Sequence, residues 1–213
     1  MKTDDLIALL STNVEPVGYR SGARGIWLAV AAGAAAAVAA VVVVLGPRAQ
    51  LGTLATLAPA LLKIGLALLI LVPAALTLIR IARPGGERRG ALLLLAAPFV
   101  AVMTLLGLGL AMAPGAHWTA ALHSAQGLEC LISIPLIALV PFAVLVWTVR
   151  RLAPTDLSRA GALVGLIAGC LSATGYALHC IDDTVPFVAL WYGGTIALCT
   201  LGGWLLGPRL LRW

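Results

Sequence analysis

Long stretches without a charged residue constrain this chain more than any other feature. Runs free of Asp, Glu, Lys and Arg cover 26–47, 64–79, 90–128, 130–149, 160–181 and 184–208. About 20 residues of helix cross the hydrocarbon core of a bilayer. Only 10% of the residues are charged, whereas soluble domains contain roughly a quarter. The sequence therefore predicts an all-α, polytopic membrane protein with six transmembrane helices.

Two of the six runs need adjustment before they fit a single span. The run 64–79 is short, and we extend the second span to begin near Ala58, with the Lys63 amine reaching the headgroups. The run 90–128 is too long for one helix and is interrupted at Pro114. We therefore end the third span near Ala113 and expect 114–127 to form an interfacial loop.

The basic residues predict the orientation of the spans. Positive charge is enriched on the cytoplasmic side of membrane proteins, and only Arg48 and Lys63 of the 14 Lys and Arg residues fall on the opposite connections. The other twelve are Lys2, Arg20, Arg24, Arg80, Arg83, Arg88, Arg89, Arg150, Arg151, Arg159, Arg209 and Arg212. Both termini are then cytoplasmic. We divide the chain into a cytoplasmic tail (1–25), a six-helix membrane domain (26–208) and a C-terminal stub (209–213).

The overall charge and the beginning of the chain argue against a nucleic-acid partner and against a cleavable signal peptide. The net charge of +6 follows from the orientation of the spans and from contact with anionic lipid, so we expect no direct nucleic-acid partner. We also expect no cleavable signal peptide, because the first apolar span begins only at Ile26, behind a polar tail.

The tail contains a short amphipathic pattern. Thr3 is suited to cap a helix that has acidic residues in its first turn, and Pro16 disfavours its continuation. The apolar positions follow helical spacing and are Leu6, Ile7, Leu9, Leu10 and Val14. A helix this short is only marginally stable in water, so it becomes ordered by packing against another surface. Membrane-surface helices are usually basic, so this acidic one fits the groove of a partner protein better than lipid.

Two of the four cysteines fall at the outer surface of the predicted bundle. Cys130 opens the fourth span and Cys180 closes the fifth. Counting the rise of about 1.5 Å per residue down one helix and back up the next returns both thiols to nearly the same height. Cys170 and Cys199 fall near mid-membrane by the same count, where a small apolar residue in a packed helix is the simpler interpretation.

The outer cysteines are surrounded by other potential ligands. Glu129 precedes Cys130, and His179 and Asp182 flank Cys180. Thiolate, imidazole and carboxylate groups bind zinc and softer divalent ions, so these five residues form a possible soft-metal site with no permanent cofactor. A structural disulfide and two unpaired core cysteines remain open as alternatives. His117 and His123 lie in the preceding loop, and interfacial packing explains them better.

Several segments together resemble a known family. They are the opening MKTDDLI, the tripeptide Glu129-Cys130-Leu131, the stretch from Leu178 to Tyr192 and the ending GPRLLRW. These segments and the six spans are similar to the NrsF-like integral-membrane anti-sigma factors, and the likeness extends over nearly the whole chain. The resemblance implies a non-enzymatic protein of the bacterial inner membrane that holds an extracytoplasmic-function sigma factor inactive. It also implies that two periplasmic cysteines, matching Cys130 and Cys180, respond to heavy metal or oxidant.

Two other classes of function are considered beside the resemblance. A membrane thiol oxidoreductase is expected to contain closely spaced cysteine pairs, and this chain has no Cys-x-x-Cys. A small transporter is expected to have ionisable residues near the membrane midplane, whereas Lys63 and Glu129 fall near the ends of predicted helices. We therefore expect a sigma factor and the bilayer as partners, and no small-molecule substrate. The sequence leaves the oligomeric state open.

Overall fold

The structure is a computed structural model that describes residues 3–12, 19–48, 54–83, 100, 104, 107–109, 111–112 and 125–212. Within these ranges the chain forms helices and no strand. The helices are α1 (Thr3–Ser11), α2 (Tyr19–Ala40, continued by a π-helical turn Val41–Leu45), α3 (Leu54–Ile81), α4 (Ala125–Arg150), α5 (Leu157–Tyr176) and α6 (Gly193–Leu210). A short turn, Val185–Phe187, and a second π-helical turn, Val188–Tyr192, lead into α6.

Five of the described segments are long and apolar enough to cross a bilayer. They are Ser21–Leu45, Thr56–Ile81, Gln126–Arg150, Leu157–Tyr176 and Val185–Leu210. These correspond to the first, second, fourth, fifth and sixth predicted spans. The predicted third span (90–113) and the loop up to residue 124 lie almost entirely outside the described residues.

Several helix ends differ from those that the charge-free runs predict. Helix α4 begins at Ala125, so Cys130 lies in its second turn and 125–127 are helical instead of loop. The cause is that Glu129, although charged, is a good helix former. Helix α5 ends at Tyr176, where the amide of Leu178 bonds the carbonyl of Gly175 at 3.1 Å and tightens the turn. Cys180 therefore follows the helix.

Helix α5 is the centre of the bundle and contacts α2, α3, α4 and α6. Its contact with α6 is made by small residues four positions apart: Gly161, Gly165 and Gly169 on α5 and Cys199, Gly203 and Gly207 on α6. A Cβ atom on Gly165 would collide with the backbone carbonyl of Cys199, and one on Gly203 with that of Gly161. The two backbones therefore touch, which is how small residues promote helix packing in membranes.

The two ends of the bundle differ in charge. One end brings together the start of α2 and the ends of α3 and α4, because a Cβ atom on Gly22 would lie 2.8 Å from Arg83 and 3.0 Å from Leu152. This arginine-rich end carries Arg24, Arg80, Arg83, Arg150, Arg151, Arg159, Arg209 and Arg212. Three half-exposed tryptophans, Trp27, Trp147 and Trp204, lie near it, as is typical of a membrane interface. The opposite end, the cysteine end, contains Cys130 and Cys180.

Candidate functional site

The structure brings Cys130 and Cys180 together at the cysteine end. Cys130 comes from the second turn of α4 and Cys180 from the turn after α5, and their exposed fractions are 0% and 2%. Both are free thiols, and they belong to the same buried apolar cluster. The apolar cluster that encloses them includes the rings of Tyr176, Phe187 and Tyr192. Two adjacent thiols can bind one soft metal ion or be oxidised to a disulfide.

The thiol of Cys180, in the turn outside the membrane-spanning helices, has an unusual environment. Hydrogen bonding with the Cys130 thiol, assisted by the positive charge of Lys63, lowers the pKa of Cys180 from 9.0 to about 6, although burial opposes this shift. A thiolate is the form that attacks electrophiles and binds metal ions. Cys180 is therefore the more nucleophilic member of the pair at neutral pH.

The residues after Cys180 form a tight turn held by Asp182. One carboxylate oxygen of Asp182 accepts hydrogen bonds from the backbone amide of Thr184 at 3.0 Å and from its hydroxyl at 2.8 Å. The backbone carbonyl of Asp182 accepts the thiol of Cys180 at 3.6 Å. The side chain of Asp182 thus stabilises the turn, and its backbone contacts the sulfur.

Two cations that the sequence reasoning set aside belong to this site. Lys63 does not reach the headgroups as expected; its side chain is 2% exposed and its amine lies 2.6 Å from a carboxylate oxygen of Asp183. The amine also donates to the carbonyl of Asp182 at 2.6 Å. Arg48 lies 3.2 Å from the other carboxylate oxygen of Asp183. An ion pair inside the protein neutralises Lys63, so the amine has no need to reach water.

A sequence signal for these two residues does exist. Arg48 and Lys63 are the two cations placed against the charge asymmetry that orients all the others. Asp182 and Asp183 lie on the same outer side, and two cations on that side predict an ion pair with them. Arg48 lies 135 positions from Asp183, and Lys63 lies 119 positions from Asp182, so local spacing does not reveal these contacts.

The other predicted metal ligands do not converge on the two sulfur atoms. The ring of His179 bonds through Nδ1 to the carbonyl of Gly46 at 2.8 Å, Glu129 is exposed, and the Asp182 carboxylate is held by Thr184. Across the described residues, no three His, Cys, Asp or Glu side chains form a group suited to a metal ion. His117 and His123 lie outside those residues.

The remaining cysteines lie in the apolar interior between α5 and α6. Cys170 is fully buried in the main core, and Cys199 packs against that core. A Cβ atom on Gly169 would lie 3.6 Å from the sulfur of Cys199. Their surroundings are apolar, which suits the interpretation of both residues as small packing residues.

The tail helix α1 forms a second candidate site. It covers Thr3–Ser11, and the side chains of Leu6, Ile7 and Leu9 are 42%, 59% and 64% exposed. Of the other two predicted contact residues, Leu10 lies within α1, and Val14 lies outside the described residues. Three large apolar side chains of this helix are therefore available to a partner.

Comparison with known proteins shows the family to which the chain belongs. The family model described as "Negative regulator of sigma F", NrsF, matches residues 10–213. The chain belongs to the NrsF family. It is 34% identical over 217 residues to the "Anti-sigma-F factor NrsF" of Caulobacter vibrioides, and 29% identical over 213 residues to the "Probable anti-sigma-F factor NrsF" of Azospira oryzae. Each match covers 100% of both chains, and no solved structure shows a significant match.

Membership of the NrsF family confirms the resemblance inferred from the sequence. The family is described as a negative regulator of sigma F, and this implies a regulatory, non-enzymatic role. The long apolar helices agree with a membrane protein. The two thiols, their cationic neighbours and the exposed tail helix are the features from which a specific function can be argued.

Proposed function

We propose that this chain is an anti-sigma factor of the bacterial inner membrane, with six spans and both termini in the cytoplasm. The names of its full-length relatives support a sigma factor of the sigma F type as the partner, and the resemblance in sequence supports the extracytoplasmic-function class. The tail holds the sigma factor, and a soft metal ion or an oxidant acting on Cys130 and Cys180 releases it.

The exposed apolar residues of α1 are the observation that carries the binding proposal. Their side chains stay exposed although the helix is too short to be stable alone in water. Burial of one such side chain contributes about 1.5–3 kcal/mol. A groove on the sigma factor that accepts Leu6 and Leu9 would therefore order the helix and provide much of the affinity.

The buried thiol pair supports the sensing part of the proposal. Cys130 and Cys180 come from different parts of the bundle. A disulfide bond or a metal ion that joins them therefore changes the position of α4 relative to the loop after α5. A signal shifts the equilibrium only if it binds one arrangement more tightly than the other. A shared site made by two elements provides such a difference, whereas a single exposed cysteine does not.

The alternative functions are less well supported. A thiol oxidoreductase must present its cysteines to another thiol or a quinone, and both thiols here are almost completely buried. A transporter is expected to have a buried ionisable residue on the transport path. Lys63 is a buried ionisable residue, but its amine is paired with the carboxylate of Asp183 at the cysteine end.

The binding proposal is tested by purifying the tagged full-length protein from native membranes in detergent with its sigma factor. Replacing Leu6 and Leu9 with Glu should lower the affinity for the sigma factor more than tenfold, because each tenfold step corresponds to about 1.4 kcal/mol. The amount of the variant in the membrane should be unchanged. Affinity is measured with the purified sigma factor of the same bacterium.

A matched control uses the opposite face of the same helix. Ala8→Glu with Ser11→Glu introduces the same charge on the face that lacks the apolar residues, and it should leave sigma binding within a few-fold of the wild type. Equal loss in both variants would mean that charge alone repels the partner. Full binding by the Leu6→Glu, Leu9→Glu protein would refute binding through α1.

A further inference from the structure

The short segment 46–48, which we call the strap, crosses the loop that contains Cys180. The carbonyl of Gly46 bonds His179 at 2.8 Å, and the amide of Arg48 donates to the carbonyl of Leu178 at 3.1 Å. The Arg48 guanidinium donates to the carbonyl of Cys180 at 3.2 Å. The strap directly continues α2, so the outer end of α2 is bonded to three consecutive residues of the cysteine loop.

Lys63 of α3 bonds the same loop at the point where the sulfur does. Its amine and the Cys180 thiol share one acceptor, the carbonyl of Asp182, at 2.6 and 3.6 Å. The amine also pairs with Asp183, which in turn pairs with Arg48. A change in what the sulfur binds therefore alters the contacts of both cations.

The ion-pair cluster of Arg48, Lys63 and Asp183 contains two buried cations and only one carboxylate. Arg48 and Lys63 have side chains only 6% and 2% exposed and share the single carboxylate of Asp183. Two guanidinium nitrogens of Arg48, Nε and Nη2, have no hydrogen-bond partner in the described part of the chain. Buried cations depend on their partners for stability, so removal of the one shared carboxylate affects the strap and α3 together.

Helix α2 connects the strap to the other end of the molecule. It is continuous from Tyr19 to a π-helical turn at Val41–Leu45, immediately before the strap, and the amide of Gly46 closes that turn on the carbonyl of Val41 at 2.9 Å. A π-helical turn holds one more residue than an α-helical turn and often marks a functional site. The opposite end of α2 is its start at Tyr19, and seven residues, 12–18, separate it from the tail helix α1.

We propose that the strap, with Arg48, Lys63 and Asp183, couples the cysteine pair to α2 and through α2 to the tail. The inference rests on the proposed function for its output, the release of the sigma factor. In the thiol state, the bonds between strap and loop hold α2 in the position that presents α1. Loss of these bonds moves α2 and releases the partner, whatever the state of the cysteines.

The first test determines whether the strap acts downstream of the cysteines in the signalling sequence. In unstimulated full-length protein, Asp183→Asn should lower the affinity for the purified sigma factor at least tenfold. It should cause the same fold loss in a Cys130→Ser, Cys180→Ser background, measured relative to the double serine protein without Asp183→Asn. Arg48→Met tests the same bonds from the side of α2 and leaves the acid in place. Wild-type affinity in both strap variants would overturn the inference.

The matched control is Arg159→Met, which removes the cation of an exposed ion pair with Asp156 at the arginine-rich end. It should keep wild-type sigma affinity, because Arg159 lies far from the strap. Asp183→Glu keeps the carboxylate and should retain most of the affinity. Release by Arg159→Met to the same extent as by Asp183→Asn would show a general effect of charge and would count against the strap.

The second test is independent of any sigma factor. Amide hydrogen exchange of the Asp183→Asn protein should increase in 41–48 and also at the start of α2 and in α1, while α5 and α6 remain protected. An increase confined to the strap and the cysteine loop would mean a purely structural role and overturn the inference. If the wild-type protein binds no sigma factor, the proposed function fails, and hydrogen exchange still decides whether α2 is coupled to the loop.

Discussion

At the scale of single residues, the two thiols at the cysteine end are not equivalent. Hydrogen bonding with the Cys130 thiol and, to a smaller extent, the positive charge of Lys63 lower the pKa of the Cys180 thiol to about 6. Cys130 instead lies within α4 and is 0% exposed. One cysteine is therefore suited to attack or bind first, and the other to complete the disulfide or the metal site.

This asymmetry predicts different labelling of the two thiols. With iodoacetamide, a small uncharged reagent, Cys180 should react faster than Cys130 at neutral pH, because the thiolate is the nucleophile. Its rate should fall as the pH drops below about 6, where the thiolate becomes protonated. Lys63→Met should move this decline to higher pH, since the positive charge favours the thiolate. Mass spectrometry of the labelled peptides gives both rates; identical pH profiles for the two thiols would contradict the assignment.

The same residues show what the sequence could and could not predict about the site. The helical rise alone places Cys130 and Cys180 at one height, because depth in a membrane is a one-dimensional count. The pairing of Arg48 and Lys63 with Asp183 needs the lateral arrangement of helices, which no local pattern contains. The sequence prediction for Lys63 was wrong for this reason: it considered the charge alone, without the acid that neutralises it.

At the scale of elements, the contact between α5 and α6 depends on missing side chains. The repeat of Gly161, Gly165 and Gly169 is visible in the sequence and is typical of membrane helix contacts. Its partner, the face with Cys199 and Gly203, becomes clear only once the helices are arranged. Helix existence was therefore predictable from apolar length, whereas the helix partner was not.

Replacing Gly165 with Ala should destabilise the bundle. The new methyl group would collide with the backbone carbonyl of Cys199, and a backbone cannot move aside as a flexible side chain can. Overpacking of this kind costs about 1–3 kcal/mol, so the midpoint of thermal unfolding in detergent should fall. Gly202→Ala is the matched control on α6, because its Cβ would meet nothing within 4 Å. An equal midpoint for both variants would show that α5 and α6 do not touch through Gly165.

At the scale of the whole molecule, the alternation of the described helices limits the possible topologies. The start of α2 and the ends of α3 and α4 meet at the arginine-rich end, while Arg48 and Lys63 meet the cysteine loop at the other. Helix α3 therefore ends, and α4 begins, at opposite ends of the bundle. The predicted third span, which falls between them and almost entirely outside the described residues, would produce this change of end.

This arrangement leads to a prediction about the sides of the membrane. Alkaline phosphatase, which is active only after export, should be active when inserted at Thr184 and inactive when fused after Trp213 or inserted at Thr155. The reason is that the eight arginines named for the arginine-rich end lie at the end that contains Thr155, whereas Arg48 and Lys63 lie at the cysteine end, so the rule of positive charge inside places the cysteines outside. Insertions at Gly86 and Ala116 test the third span directly, and only the second should be exported. Equal activity at these two positions would remove the third span, and an active fusion after Trp213 would invert the molecule and place Cys130 and Cys180 in the cytoplasm.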